Sequence, residues 1–189
     1  MPARTATRRE GPARTRILET ASALFYAEGV HAVGVDRIIA EAGVAKATFY
    51  HHFPAKNDLV RAYVEEQSRR QRVAEAAFRQ LPPREALVAV FDVLGDIASG
   101  ADYRGCPFIN TAAEYPDPAD PVRAAIADHR RWFRGMLREF LVAAGHPDPD
   151  RTADILVLLK DGMALGCDLD DPIRLRALAR DAVTRVLTP

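Results

Sequence analysis

The 189-residue sequence predicts an all-α protein. Apolar residues recur every three or four positions in one segment after another, which is the stripe an amphipathic helix needs in order to pack. Asp-Pro pairs stand at Asp117-Pro118, Asp120-Pro121, Asp148-Pro149 and Asp171-Pro172. Each reads as a helix entrance: Asp accepts from the free amides of a first turn, and Pro fits the first helical position, where its missing N–H would be unpaired anyway. No alternating run of strand length competes. The nearest, Asp154 to Leu159, continues into a helical pattern.

The elements come in order along the chain. Ile17, Leu18, Ala21, Leu24 and Phe25 lie at helical spacing, with Gly29 where a helix would stop. Val35, Ile38, Ile39 and Ala42 make a short stripe closed by Gly43, and Val44, Phe49 and Phe53 suit a further short helix. Pro54 ends that unit. Leu59, Val60, Tyr63 and Val64 open a longer helix that can run to Pro82-Pro83. Beyond it the pattern fits helices near residues 84–100, 106–114, 121–144, 149–166 and 172–187, about nine in all. The domain division expected from this is a basic flexible arm over residues 1–13, a three-helix head over 14–55 and a larger helical body over 56–189.

Composition narrows the function. Hydrophobic content of 48% and charged content of 28% are ordinary for a globular chain. No apolar run approaches the roughly 18 residues of a membrane span, so no membrane partner is expected. The net charge of zero conceals an asymmetry: residues 1–81 hold 13 Lys and Arg against 9 Asp and Glu, whereas residues 82–189 hold 13 against 17. A basic front and an acidic back suggest that the front meets a polyanion. Arg4, Arg8, Arg9, Arg14 and Arg16 lie in a stretch without the apolar core of an export signal. Cys106 and Cys167 match no zinc or redox spacing and are expected to be reduced thiols in a cytoplasmic protein.

The stretch AGVAKATFYHHF, Ala42 to Phe53, carries more polar and aromatic groups than packing alone needs. In a helix-turn-helix one helix crosses the DNA backbone, a tight glycine-containing turn comes next, and the second helix enters the major groove. Gly43 stands where that turn is required. With Phe49 and Phe53 facing inward at i, i+4, the outer and flanking positions fall to Lys46, Ala47, Thr48, Tyr50, His51 and His52. These residue types suit phosphates, base edges and thymine methyls. Lys56 lies at the start of the long helix, where its ammonium and the backbone amides can both approach a phosphate. As metal ligands His51 and His52 are ill placed, since neighbours on a helix point about 100° apart.

On these residues the chain resembles the TetR family of bacterial transcriptional regulators. The resemblance covers roughly residues 14–63, and IIAEAGVAKATFYHHFPAKNDLV (Ile38 to Val60) is close to the family's most recognisable run. It implies a three-helix DNA-binding head and a helical body. It also implies a homodimer made largely by the last two helices on palindromic double-stranded DNA, and release by a small molecule bound in the body. Matched onto the motif, Lys46 and Ala47 fall where the family reads bases. Thr48, Tyr50, His52 and Lys56 fall where it holds the phosphate backbone, His51 at a variable contact position, and Arg37 at a weaker one on the preceding helix. Two positions depart from the pattern: Gly34 and Ala45 stand where the family usually has Ser or Thr. Ala accepts no amide bond, so the recognition helix is expected to fray until DNA orders it.

In the body, Phe91, Tyr103, Phe108, Asn110, Trp132, Phe133 and Met136 are candidate effector-pocket residues, because such pockets are mostly apolar with a few polar groups. The stretch His129 to Leu141 reads first as a core helix. Gly162, Ala164 and Gly166 would let another helix approach closely, either a dimer partner or a neighbour in the same chain. Cys106, before Pro107 and near Arg104, is a candidate sensor of oxidants or electrophiles, against the plainer reading of a small buried cysteine. No enzyme is expected: there is no phosphate-cradling glycine loop, nucleophile elbow or metal-ligand spacing. No cofactor or metal is expected either. A helical adaptor that docks a protein partner is the rival class.

Overall fold

The computed structural model describes residues 11–187, and the regular structure in that range is helical throughout. Nine helices occur among the described residues: α1 (Pro12–Glu28), α2 (Val35–Ala42), α3 (Lys46–His52), α4 (Lys56–Phe78), α5 (Pro83–Ala98), α6 (Pro107–Glu114), α7 (Pro121–Ala143), α8 (Pro149–Leu169) and α9 (Pro172–Val186). The chain divides into two compact units, Met1–Tyr63 and Val64–Pro189. The break therefore falls inside α4, not at its start. Its opening turns bury Leu59, Val60 and Tyr63, and the Tyr63 ring meets Phe25 edge-on at 5.7 Å.

The first unit is a head in which α1, α2 and α3 pack around Ile17, Phe25, Ile38, Phe49 and Phe53. Burying one such aromatic stabilises the head by about 1.5–3 kcal/mol. Helix α2 ends in a Schellman turn. Gly43 takes the left-handed conformation (φ 61°, ψ 45°), its N–H donates to the Ala40 carbonyl, and the Val44 N–H donates to that of Ile39. Helix α1 begins at Pro12, so the residues expected as a flexible arm already become helical there. Arg4, Arg8 and Arg9 lie outside the described residues. Arg14 is on α1, its guanidinium carbon 5.0 Å from the centre of the Phe53 ring.

The second unit is a body of packed helices whose core gathers Leu87 and Phe91 from α5, Leu137 and Leu141 from α7, Leu156 from α8 and Val183 from α9. Three Asp-Pro pairs act as expected. Asp120 accepts from the Val122 amide, Asp148 from that of Arg151, and Asp171 from those of Ile173 and Arg174. Asp117-Pro118 does not open a helix. Asp117 accepts from the Ala119 amide two residues on, and the Asp120 N–H donates to its carbonyl, so the pair forms a turn that delivers the chain to the true cap. At the α7–α8 turn, His146 Nδ1 accepts from the Asp148 amide. Its Nε2–H then donates to the Val186 carbonyl at 3.1 Å, tying that turn to the end of α9.

The small residues of α8 divide their roles. A Cβ at Gly166 would lie 2.9 Å from Leu175 of α9, so that glycine serves packing within the chain. One at Gly162 would meet nothing within 4 Å.

Candidate functional site

Helix α3 has two sides because Phe49 is fully buried. That anchor leaves Lys46, Ala47, Tyr50 and His51 exposed, with Thr48 and His52 half-buried at the margins. The Tyr50 ring stands edge-on to Phe49 at 5.3 Å, which holds its hydroxyl end outward. His51 and His52 lie edge to face at 5.1 Å. Lys46 makes an ion pair with Asp36 at 3.2 Å, but both groups are mostly exposed, so a phosphate or base can displace the partner at little cost. Lys56 is half-buried in the first turn of α4.

Arg37 behaves differently. Its guanidinium donates from both Nη atoms to Glu28, at 2.5 and 2.8 Å, and from Nε to Glu41 at 2.7 Å. Glu28 first, and then Glu41, raise its pKa above the ordinary arginine value. Its charge is thus already matched by two carboxylates, and the residue ties α2 to the end of α1. No sequence pattern pairs Glu28 with Arg37, because the two sit on different helices.

A helix pair joined by a left-handed glycine turn, with one face of the second helix anchored and the other polar, is the helix-turn-helix arrangement. Comparison with known proteins agrees. Residues 17–63 match the model for bacterial regulatory proteins of the tetR family, and residues 118–189 match a tetracyclin repressor-like C-terminal domain. The crystal structure of SCO4454, a TetR-family transcriptional regulator from Streptomyces coelicolor, superposes with a TM-score of 0.88 at 41% identity, covering 93% of this chain and 94% of that one. The chain belongs to the TetR family. The HTH-type transcriptional regulator LmrA of Bacillus subtilis is 31% identical over 139 residues, 71% of this chain and 74% of that protein. YxaF of the same organism, an HTH-type transcriptional regulator, is 48% identical over 44 residues, 23% of each chain. The protein is thus a TetR-family transcriptional regulator, and its family is one of regulators, not enzymes.

The body of this TetR-family chain gathers most of the candidate effector residues in or against its main core. Phe91, Phe133 and Met136 are buried in the main core, with Tyr103 and Trp132 packed against it. Tyr103 donates its hydroxyl to the Ala164 carbonyl at 2.9 Å. Phe108 is buried on α6. Asn110 is exposed, and its amide donates to the Arg104 carbonyl at 2.6 Å, which closes the loop before α6. Cys106 is half-buried at the N-terminus of α6, and Cys167 lies buried in the core, where burial raises its thiol pKa.

Sequence patterns passed over a polar cluster around His129. This histidine is 3% exposed. Its ring lies flat against Phe108, centroids 3.6 Å apart and planes 3° apart, and Nδ1 is 3.2 Å from the Ser68 hydroxyl of α4. Burial, and then the cations Lys160, Arg72 and Arg130, push its pKa down to about 3, so the ring is neutral at physiological pH. Lys160, also buried, pairs with Asp161 at 2.6 Å, and Arg130 holds the same carboxylate at 3.1 and 2.7 Å. Trp132 donates its indole N–H to Glu75 at 3.0 Å. The one available clue was a histidine and a lysine on the inward stripes of α7 and α8, where burial demands a partner.

Proposed function

We propose that the protein is a repressor that binds a palindromic operator as a two-fold dimer, in the cytoplasm beside the chromosome, and is released by a small molecule held in its body. The observation that carries the DNA reading is the outward face of α3: Lys46, Ala47, Tyr50 and His51 stand exposed over a buried Phe49, with Thr48, His52 and Lys56 at the edge. In this reading Lys46 and Ala47 meet base edges, and Thr48, Tyr50, His52 and Lys56 hold phosphates. Arg37 acts by positioning α2.

The dimer reading is supported by an apolar stripe. Ile155, Leu158, Leu165 and Leu169 on α8 are 40–72% exposed. With Gly162 between them they show the alternating three- and four-residue spacing of a helix–helix seam. Ile173 and Leu178 add exposed apolar surface on α9. Replacing both Leu158 and Leu165 with Glu is expected to give a monomer by light scattering while the helical signal persists. An unchanged dimer would place the seam elsewhere.

The direct test is binding of the purified protein to fragments of its own upstream DNA, with salt varied and unrelated DNA as competitor. A complex that survives competition and weakens steeply with salt is expected, because each phosphate contact releases counterions. Lys56→Ala should weaken binding to all sequences alike and reduce the salt slope by about one, whereas Lys46→Ala should also relax specificity. A weak salt response would favour a protein-docking adaptor instead.

The effector reading draws on Phe91, Tyr103, Phe108, Trp132, Phe133 and Met136, the apolar and aromatic groups of the body. Asn110 joins them from the loop that it closes before α6.

A further inference from the structure

The carboxylates around the helix-turn-helix have different duties. Glu28 and Glu41 hold Arg37, and Asp58 accepts from the Ala55 amide at the start of α4. Asp36, in the first turn of α2, meets α3 instead: its Oδ1 lies 3.2 Å from the Lys46 Nζ. The two side chains are 85% and 67% exposed, so neither serves to fill the core. A carboxylate on a surface that meets DNA is repelled by phosphates and weakens binding to every sequence. The loss is offset only where a base offers it a donor, and in the major groove those donors are cytosine N4–H and adenine N6–H.

Lys46 opens α3, and the N-terminal residues of a recognition helix are the ones that contact base edges. A group 3.2 Å from its ammonium therefore stands at the same edge. The spacing also matches that edge. Guanine O6 and the N4 of its paired cytosine are joined by an N–H···O hydrogen bond, so they lie about 2.9 Å apart. The N4 amino group has a second hydrogen, which points into the major groove. An ammonium over O6 and a carboxylate over N4 close a ring of four groups in which donors and acceptors alternate. Guanine adds N7 beside O6, which gives Lys46 a second acceptor. An A·T pair offers N6–H and O4 at a similar separation, but thymine puts a methyl group where guanine has N7. With the C·G pair turned round, the carboxylate faces O6 and the ammonium faces N4–H, and both contacts are repulsive.

We propose that Asp36 is a specificity-determining residue that reads, together with Lys46, one C·G pair in each half-site. Asp36 accepts from cytosine N4–H, and Lys46 donates to O6 and N7 of the paired guanine. The proposal rests on the reading of α3 as the base-contacting helix and names the base pair read there. On unrelated DNA the exposed ion pair opens at little cost. Lys46 then turns to a phosphate and leaves Asp36 beside the polyanion, so the carboxylate also lowers non-specific affinity. A carboxylate in the first turn of a helix favours the helix dipole as well, but that effect is the same on every sequence.

The full-length protein is used to select binding sites from random-sequence duplex DNA, and affinities are measured on the selected site. A motif with one fixed C·G pair in each half-site is expected. In Asp36→Ala and in Lys46→Ala the preference at that position should fall about tenfold and persist at the others. Asp36→Ala should also bind unrelated DNA more tightly. Two altered bases carry the test in the unaltered protein, so a variant that folds poorly does not decide the matter. N4-methylcytosine replaces the groove-facing hydrogen and keeps the base pairing. At the fixed position it should weaken binding by the unaltered protein about tenfold and leave that of Asp36→Ala unchanged. Substituting 7-deazaguanine for the paired guanine should weaken the unaltered protein and spare Lys46→Ala.

A motif that Asp36→Ala reproduces unchanged overturns the paired readout and leaves the DNA reading standing. So does a motif in which Asp36→Ala and Lys46→Ala lose preference at different positions, or N4-methylcytosine that weakens both proteins alike or neither. Failure to select any motif overturns this proposal and the DNA reading together.

Discussion

The first three helices of the head and the last three of the body begin in different ways. In the body, α7, α8 and α9 each start at an Asp whose carboxylate accepts from the first free amides. In the head, α1, α2 and α3 start at Gly11, Gly34 and Ala45, and none has a side-chain cap. These three long body helices satisfy part of their own starts, whereas the head leaves the amides of α2 and α3 to be satisfied from outside, as the body does at α5 and α6, which begin at Pro82 and Cys106 without a side-chain cap. Water serves in the free protein, and a phosphate backbone is the natural substitute in a complex, since it brings both the acceptors and the charge that a helix N-terminus favours. The interiors differ too. Among the described residues, the head buries the polar side chain of Ser22, which bonds to the Leu18 carbonyl of its own helix, while the body encloses His129, Lys160, Glu75 and Ser68.

This contrast can be broken or sharpened by experiment. The largest effect is expected from Phe49→Ala, which removes the anchor of α3 and should cost about 3–5 kcal/mol. DNA binding should vanish while much of the helical circular dichroism remains. Loss of the whole helical signal in one transition would mean that the units do not melt separately.

Acid should strike the body instead. Folded His129 stays neutral down to about pH 3, whereas an unfolded histidine protonates near pH 6.5. Between those values the unfolded chain binds more protons, so stability falls as pH drops through the window, on the order of a few kcal/mol in total. A Tm-versus-pH series should show this slope and lose much of it in His129→Leu.

Gly43→Ala should cost about 1–2 kcal/mol. A Cβ there meets nothing within 4 Å, so the whole penalty is that of the left-handed backbone. Asn at the same position should recover part of the lost Tm. The caps come next. Asp171→Ala should lower stability by about 1 kcal/mol, and Ala45→Ser should raise it by a similar amount. If fraying of α3 is part of the free state, Ala45→Ser should also tighten DNA binding, and an unchanged affinity would show that α3 is already formed before DNA arrives. Arg37→Ala should have the smallest effect on stability, because its ion pairs are nearly half exposed. It should weaken DNA binding only as far as it lets α2 shift, with no change in the salt slope. A slope reduced by about one would restore Arg37 as a phosphate contact.

Much of the head was legible because its signals are local. The inward Phe49 and Phe53, the glycine turn and the outward polar face of α3 all derive from spacing within a few residues. The Asp caps were legible for the same reason. Asp117-Pro118 misled because an Asp side chain can close a turn on itself as readily as it can cap a helix, and only the path of the chain beyond the proline decides between them. Gly166 was ambiguous in sequence and was settled by Leu175 lying against it.

The sequence by itself determined the helical class, the place and orientation of the recognition helix and the entrances of three body helices, since periodicity and capping act over one or two turns. Tertiary structure decided the rest. Arg37 is held by Glu28 from another helix, Asn110 closes a loop, and His129 meets Ser68 across 61 residues of chain. A charge or a ring nitrogen acquires its role from whatever lies opposite it, and packing brings together partners that no spacing rule connects.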